Sequence, residues 1–129
     1  LRIVIVDDNV DAANSLGMLL RIEGHETRIE HNGGRGLAAV REWNPHVVLL
    51  DIGLPDMGGY EVGRNLRTGN YSGILIAVTG YGQEGDRTSS AQAGFDDHLV
   101  KPVALETLKA AIEKRMRAAL QDAVDSTTA

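Results

Sequence analysis

The chain has 129 residues, 43% hydrophobic and 24% charged, with a formal net charge of -5, no cysteine and three prolines. That length suits one domain with a real core, and an acidic balance without a basic cluster argues against a direct nucleic-acid partner. Lack of cysteine excludes disulfides and thiolate metal sites and suits a reducing, cytoplasmic setting, while no apolar run approaches the roughly 18 residues of a membrane span and no signal peptide opens the chain.

RIVIV, residues 2–6, is a short Ile- and Val-rich run of the kind a parallel sheet buries on both faces. It ends on two adjacent carboxylates, Asp7 and Asp8. Like charges that close raise each other's pKa and destabilise a fold unless something positive lies between them. Capping of the next helix by Asp8 or Asn9 uses one such residue and leaves Asp7 without a reason. Ala12, Ala13, Leu16, Leu19 and Leu20 then recur at helical spacing, and Gly24 ends the helix. HETRIE, residues 25–30, reads as a half-exposed strand at a sheet edge. Gly33 and Gly34 lead into a helix carrying Leu37, Val40 and Trp43, which Asn44-Pro45 stops.

HVVLLD, residues 46–51, is a second buried strand ending on an acid. The loop IGLPDMGG, 52–59, opens a helix with Val62 and Leu66 on its inner face. GILIAVTG, 73–80, is the third strongly apolar strand. A polar helix around residues 84–93 ends at Gly94, FDDHLV gives a fifth strand, and Lys101-Pro102 closes it. Leu105, Leu108, Ile112 and Met116 mark the last helix. Residues 1–121 read as one domain and 122–129 as a short polar tail, frayed at the end. Leu1 opens the chain with no initiating Met, as in a piece cut from a longer protein.

Strands alternating with helices predict an α/β fold, a parallel sheet covered on both faces. With five strands and right-handed crossovers, the expected architecture is the flavodoxin-like doubly wound sheet in the order 2-1-3-4-5. Such folds place their site beyond the carboxyl ends of the strands, where the strand order reverses.

All C-terminal strand ends of a parallel sheet share one edge. Asp7 and Asp8 after strand 1, Asp51 after strand 3, Thr79 after strand 4 and Lys101 after strand 5 therefore converge. Singly, each has an ordinary reading as a turn former, a strand end or a surface charge; together they make one compatible set. Three carboxylates without His or Cys form an all-oxygen site suited to a hard cation such as Mg²⁺. One carboxylate there can attack a phosphoryl group and hold it, with cation and lysine offsetting the developing charge. His25 and His46 open their strands and so lie at the opposite edge. His46 is about 17 Å from Asp51 at about 3.4 Å per strand residue, too far for an internal phosphoryl donor.

These segments resemble the receiver domains of two-component response regulators, from IVIVDD through LLDIGLPDMGGYE and AVTGYG to HLVKP. The resemblance implies a phosphorylation-dependent signalling switch, with Asp51 as phosphoacceptor. It implies that Asp8 binds Mg²⁺ directly, Asp7 helps through water, and the Gly53 carbonyl completes the metal site. Thr79 and Lys101 would contact phosphoryl oxygens, Gly80 would leave room beside Asp51, and the Lys101-Pro102 peptide would be cis. The donor would be a phosphohistidine on a sensor kinase or phosphotransfer protein, and the target a downstream effector; catalysis would extend only to the domain's own phosphorylation and dephosphorylation. GFDDHLVKPVALETL is similar to receivers attached to hybrid kinases. One position departs from the pattern. Where the family usually carries Tyr or Phe three residues before the lysine, as a switch that follows the threonine inward, this chain has His98.

Other readings meet obstacles in the residues. A haloacid dehalogenase-type phosphatase would need an acid at position 9, where Asn9 stands, and most carry a cap domain too large for any segment here. A flavodoxin would need a hydroxyl- and amide-rich loop after strand 1, and Asp7-Asp8 would repel the FMN phosphate. A degenerate receiver, acting only as an interaction module, would be expected to lack some of the matched residues, and all are present.

Overall fold

The structure, a computed structural model, describes residues 1–80 and 91–128. In chain order the elements are β1 (Arg2–Val6), α1 (Val10–Ile22), β2 (Glu26–Glu30), α2 (Gly33–Trp43), β3 (Val47–Asp51), α3 (Gly59–Thr68), β4 (Ile74–Thr79), β5 (Asp97–Val100) and α4 (Leu105–Thr128). All strand pairs are parallel, in the order β2-β1-β3-β4-β5. The edge position expected for the second strand, and the reversal of order between β1 and β3, are both present.

Strand period two sorts the core into two layers. Val4, Val6, Val48, Leu50, Leu75 and Ala77 face α2 and α3, where Leu37, Val40, Val62 and Leu66 meet them. Ile3, Ile5, Val47, Leu49, Ile76 and Val78 face the other way, against Ala13, Leu20, Leu108 and Ile112 of α1 and α4. Each Leu or Ile removed from water in this way contributes roughly 1.5–3 kcal/mol. The central strands are thereby covered on both faces, and their carboxyl ends open at one edge.

Several local expectations are revised. Leu19 is 44% exposed, because the inner stripe of α1 runs through Ala13, Gly17 and Leu20. The fifth strand begins at Asp97, not at Phe95, whose ring turns into the core beside Gly63. The helix expected over 84–93 falls mostly outside the described residues; its end at Gly94 does not, with φ at 91° and an N–H donating to the Ala91 carbonyl. Residues 122–128, expected as a frayed tail, continue α4 as helix. No Gly or Pro interrupts positions 105–128, and Gln121 donates to Asp125 one turn on. No helix among the described residues is long and apolar enough to cross a membrane.

Candidate functional site

Strand register brings the polar ends together. Val6 lies opposite Leu50 and Asp51 opposite Val78, so Asp7 follows β1 beside the last residue of β3. The Lys101 N–H donates to the Thr79 carbonyl at 2.8 Å, placing the lysine next to the end of β4. The peptide between Lys101 and Pro102 is cis. Gly80, directly after Thr79, lines a groove of about 540 Å³ together with Asp7, Asp51, Lys101 and Pro102.

Burial marks the same place. Among the described residues, the buried polar or charged ones are Asp7, Asp51, Thr79 and His98. Burying such groups is costly unless each is hydrogen-bonded or paired, and here they are. Lys101 Nζ lies 3.0 Å from Asp51 Oδ2 and 3.1 Å from Asp7 Oδ2. Asp51 Oδ1 accepts from the Gly53 N–H at 2.9 Å, and Asp7 Oδ1 accepts from the Asn9 N–H at 2.9 Å. Lys101 is thus the positive group that the run of carboxylates required. Burial pushes the Asp7 carboxyl up from its ordinary range, against the pull of the Asn9 amide and the lysine. Burial alone would lower the Lys101 ammonium; hydrogen bonds to Asp51 and Asp7 outweigh it and hold its pKa above the ordinary value.

Asn9 is the residue that caps α1, its side chain accepting from the Ala12 N–H at 3.1 Å. Asp7 and Asp8 are therefore left for other work. One ligand oxygen from each of Asp7, Asp8 and Asp51 falls within 4.8 Å of the others, with Asp8 exposed and the other two buried. An oxygen-only set with an open side fits Mg²⁺, which takes one or two carboxylates and keeps several waters.

His98 lies inside the fold, 8% exposed, with Nε2 2.9 Å from Thr79 Oγ1. His25 and His46 sit at the far edge as expected: the His46 carbonyl accepts from Ile74, the first residue of β4, and its Nδ1 accepts from the Arg2 N–H. His31 was not singled out by sequence, yet its Nδ1 lies 2.9 Å from the Asp7 carbonyl. Nor was Asp56, whose carboxylate accepts from Gly33 and Gly34. All three bonds join residues more than twenty positions apart, and no local pattern announces them.

Residues 3–113 match the family model described as response regulator receiver domain. The chain is 38% identical over 117 residues to the DNA-binding response regulator MtrA of Mycolicibacterium paratuberculosis, covering 90% of this chain and 51% of that protein. It is 33% identical over 124 residues to the probable transcriptional regulatory protein TcrX of Mycobacterium tuberculosis, covering 96% and 53%. The chain therefore spans about half the length of the curated relatives it matches. MtrA is named as DNA-binding, so the charge argument against nucleic acid reaches no further than these 129 residues. Among solved structures, a CheY-like receiver domain protein from Methanospirillum hungatei has a TM-score of 0.85 at 32% identity, covering 94% of this chain and 97% of that one. The Saccharomyces cerevisiae Ssk1 receiver domain, co-crystallised with the histidine phosphotransfer protein Ypd1, has a TM-score of 0.79 at 26% identity, covering 87% and 86%. Fold, strand order and sequence match thus meet in one family, and the chain belongs to the response regulator receiver domains, the phosphorylation-dependent switches of two-component systems.

Proposed function

We propose that Asp51 is the phosphoacceptor of this switch. The observation that carries the reading is the lysine bridge: one buried carboxylate at a strand end, 3.0 Å from Lys101, with Asp7 on the other side of the same ammonium. Asp51 Oδ2 attacks phosphorus as the bond to the donor nitrogen breaks, and the leaving imidazole takes up a proton. Lys101 follows the charge that gathers on the phosphoryl oxygens, and the Thr79 hydroxyl donates to one of them. Gly80 leaves the incoming group room. Asp7, Asp8 and Asp51, with the Gly53 carbonyl, would hold Mg²⁺, which when bound neutralises charge on carboxylates and phosphoryl group alike.

The Thr79–His98 contact gives the switch its mechanical link. A hydroxyl drawn toward the phosphoryl group pulls on a bond to an imidazole on β5, and so on the surface around that strand. The donor in this reading is a phosphohistidine of a sensor kinase or phosphotransfer protein, a role supported by the likeness to the Ssk1 receiver. The target is a downstream effector protein or domain, the site is cytoplasmic, and the catalysis is confined to the domain's own phosphorylation and dephosphorylation. Residues 1–121 form the working unit.

Intact mass after incubation with acetyl phosphate and Mg²⁺ tests the assignment. Wild type gains one phosphoryl group and Asp51→Asn gains none, because an amide is a poor nucleophile. Full labelling of the variant contradicts the reading.

A further inference from the structure

Resting on the receiver reading above, we propose that the turn between β2 and α2, residues 31–34, is a bracket. It positions the two loops of the acidic site relative to one another and so sets the site's affinity for a divalent cation. None of its residues is a candidate ligand.

The first arm is His31. Its Nδ1 donates to the Asp7 carbonyl at 2.9 Å, and a carbonyl can only accept, so the proton sits on Nδ1. One residue earlier, the Glu30 carbonyl accepts from the Asp7 N–H at 3.0 Å. The backbone of Asp7 is thus gripped on both sides by residues 30 and 31. That grip fixes the direction in which the Asp7 and Asp8 side chains leave the chain.

The second arm is the pair of amides that opens α2. Gly33 and Gly34 donate to the two carboxylate oxygens of Asp56 at 2.8 and 3.0 Å. The first N–H groups of a helix have no partner within it, and these two find theirs in the loop that leaves Asp51 and carries Gly53. They hold the Asp56 carboxyl below the usual carboxylate range. The turn is also pressed against that loop. A Cβ on Gly33 would lie 2.9 Å from Met57 Cβ, closer than a side chain allows, and a tight 3.0 Å from Val62 Cγ2 on α3.

One short turn therefore holds the loop after β1 with an imidazole and the loop after β3 with two amides. Mg²⁺ demands near-octahedral geometry at short, nearly fixed distances. Groups that fix the carriers of its ligands tune affinity even without touching the ion, and their loss typically weakens binding roughly 10–100-fold.

The test is Mg²⁺ calorimetry on unphosphorylated protein: wild type, His31→Ala, Asp56→Ala, the double variant, and His31→Gln, which keeps a side-chain N–H donor. Each alanine variant is expected to weaken Mg²⁺ binding about tenfold, the low end for such outer groups. The double variant should lose little more than either single one, since a bracket opened at one end is already open. His31→Gln should recover most of the affinity. Phosphorylation by acetyl phosphate should slow at low Mg²⁺ and return to the wild-type rate at saturation. Unchanged affinity in both single variants, even with a lowered melting temperature, overturns the proposal, as do losses that simply multiply in the double variant. A wild type that neither binds Mg²⁺ nor takes a phosphoryl group overturns the receiver reading itself.

Discussion

Lys101 compensates two carboxylates in the site, and under the proposed mechanism it must also stay mobile enough to follow a phosphoryl group. Its ammonium meets Asp51 and Asp7 at 3.0 and 3.1 Å while about a quarter of the side chain remains exposed. Such a pair adds little net stability, because desolvation offsets much of the attraction, but removing one partner strands the other. Lys101→Met leaves Asp7 and Asp51 facing each other without a cation. In chelator at neutral pH this variant should be destabilised by about 1–3 kcal/mol in urea unfolding, less than for a fully buried pair. Added Mg²⁺ should restore more stability to the variant than to wild type, since the ion then supplies the missing charge and meets no ammonium. Equal stabilisation of both proteins would mean that the lysine does not share the acidic site.

Where β1 and β3 begin, at the edge opposite the site, an imidazole does the work of a ladder bond. His46 Nδ1 accepts from the Arg2 N–H at 2.8 Å while the His46 N–H donates to the Arg2 carbonyl at 2.9 Å. Desolvation, and then the charge of Arg2, lower the His46 pKa from its ordinary value of 6.5. The unfolded chain binds the proton more readily, so the stabilisation is complete above about pH 6.5 and is lost as pH falls through that value toward the lowered one. His46→Asn retains an acceptor near the same position and does not titrate. Thermal midpoints taken from about pH 8 to about pH 5 should fall further for wild type than for this variant. Parallel curves would show that the imidazole is a bystander at the strand start.

Across the molecule, the parts legible in sequence are those that depend on periodicity and on strand ends. The Ile- and Val-rich runs located β1, β3 and β4, and the parallel topology they imply carried Asp7, Asp51, Thr79 and Lys101 to one edge without any long-range information. Leu19 was misplaced because two adjacent leucines both satisfy a helical pattern, and only packing decides which faces inward. His31 and Asp56 stayed hidden for a different reason: each acts through a backbone group on another loop, and sequence spacing carries no trace of such a bond. Arg67 is of the same kind. It ties α3 to the carbonyls of Tyr71, Gly73 and Gly94 and to Asp96, while reading locally as one more helix-end cation. As proposed, this edge places a phosphoryl group on one particular carboxylate, Asp51. Borohydride reduces an acyl phosphate to an alcohol, converting a phosphorylated aspartate to homoserine, so peptide mapping after phosphorylation and reduction locates the modified residue directly. Homoserine at position 51, absent when Mg²⁺ is chelated, is the predicted result; homoserine at Asp7 or Asp8, or none in protein that carries the phosphoryl mass, would contradict it.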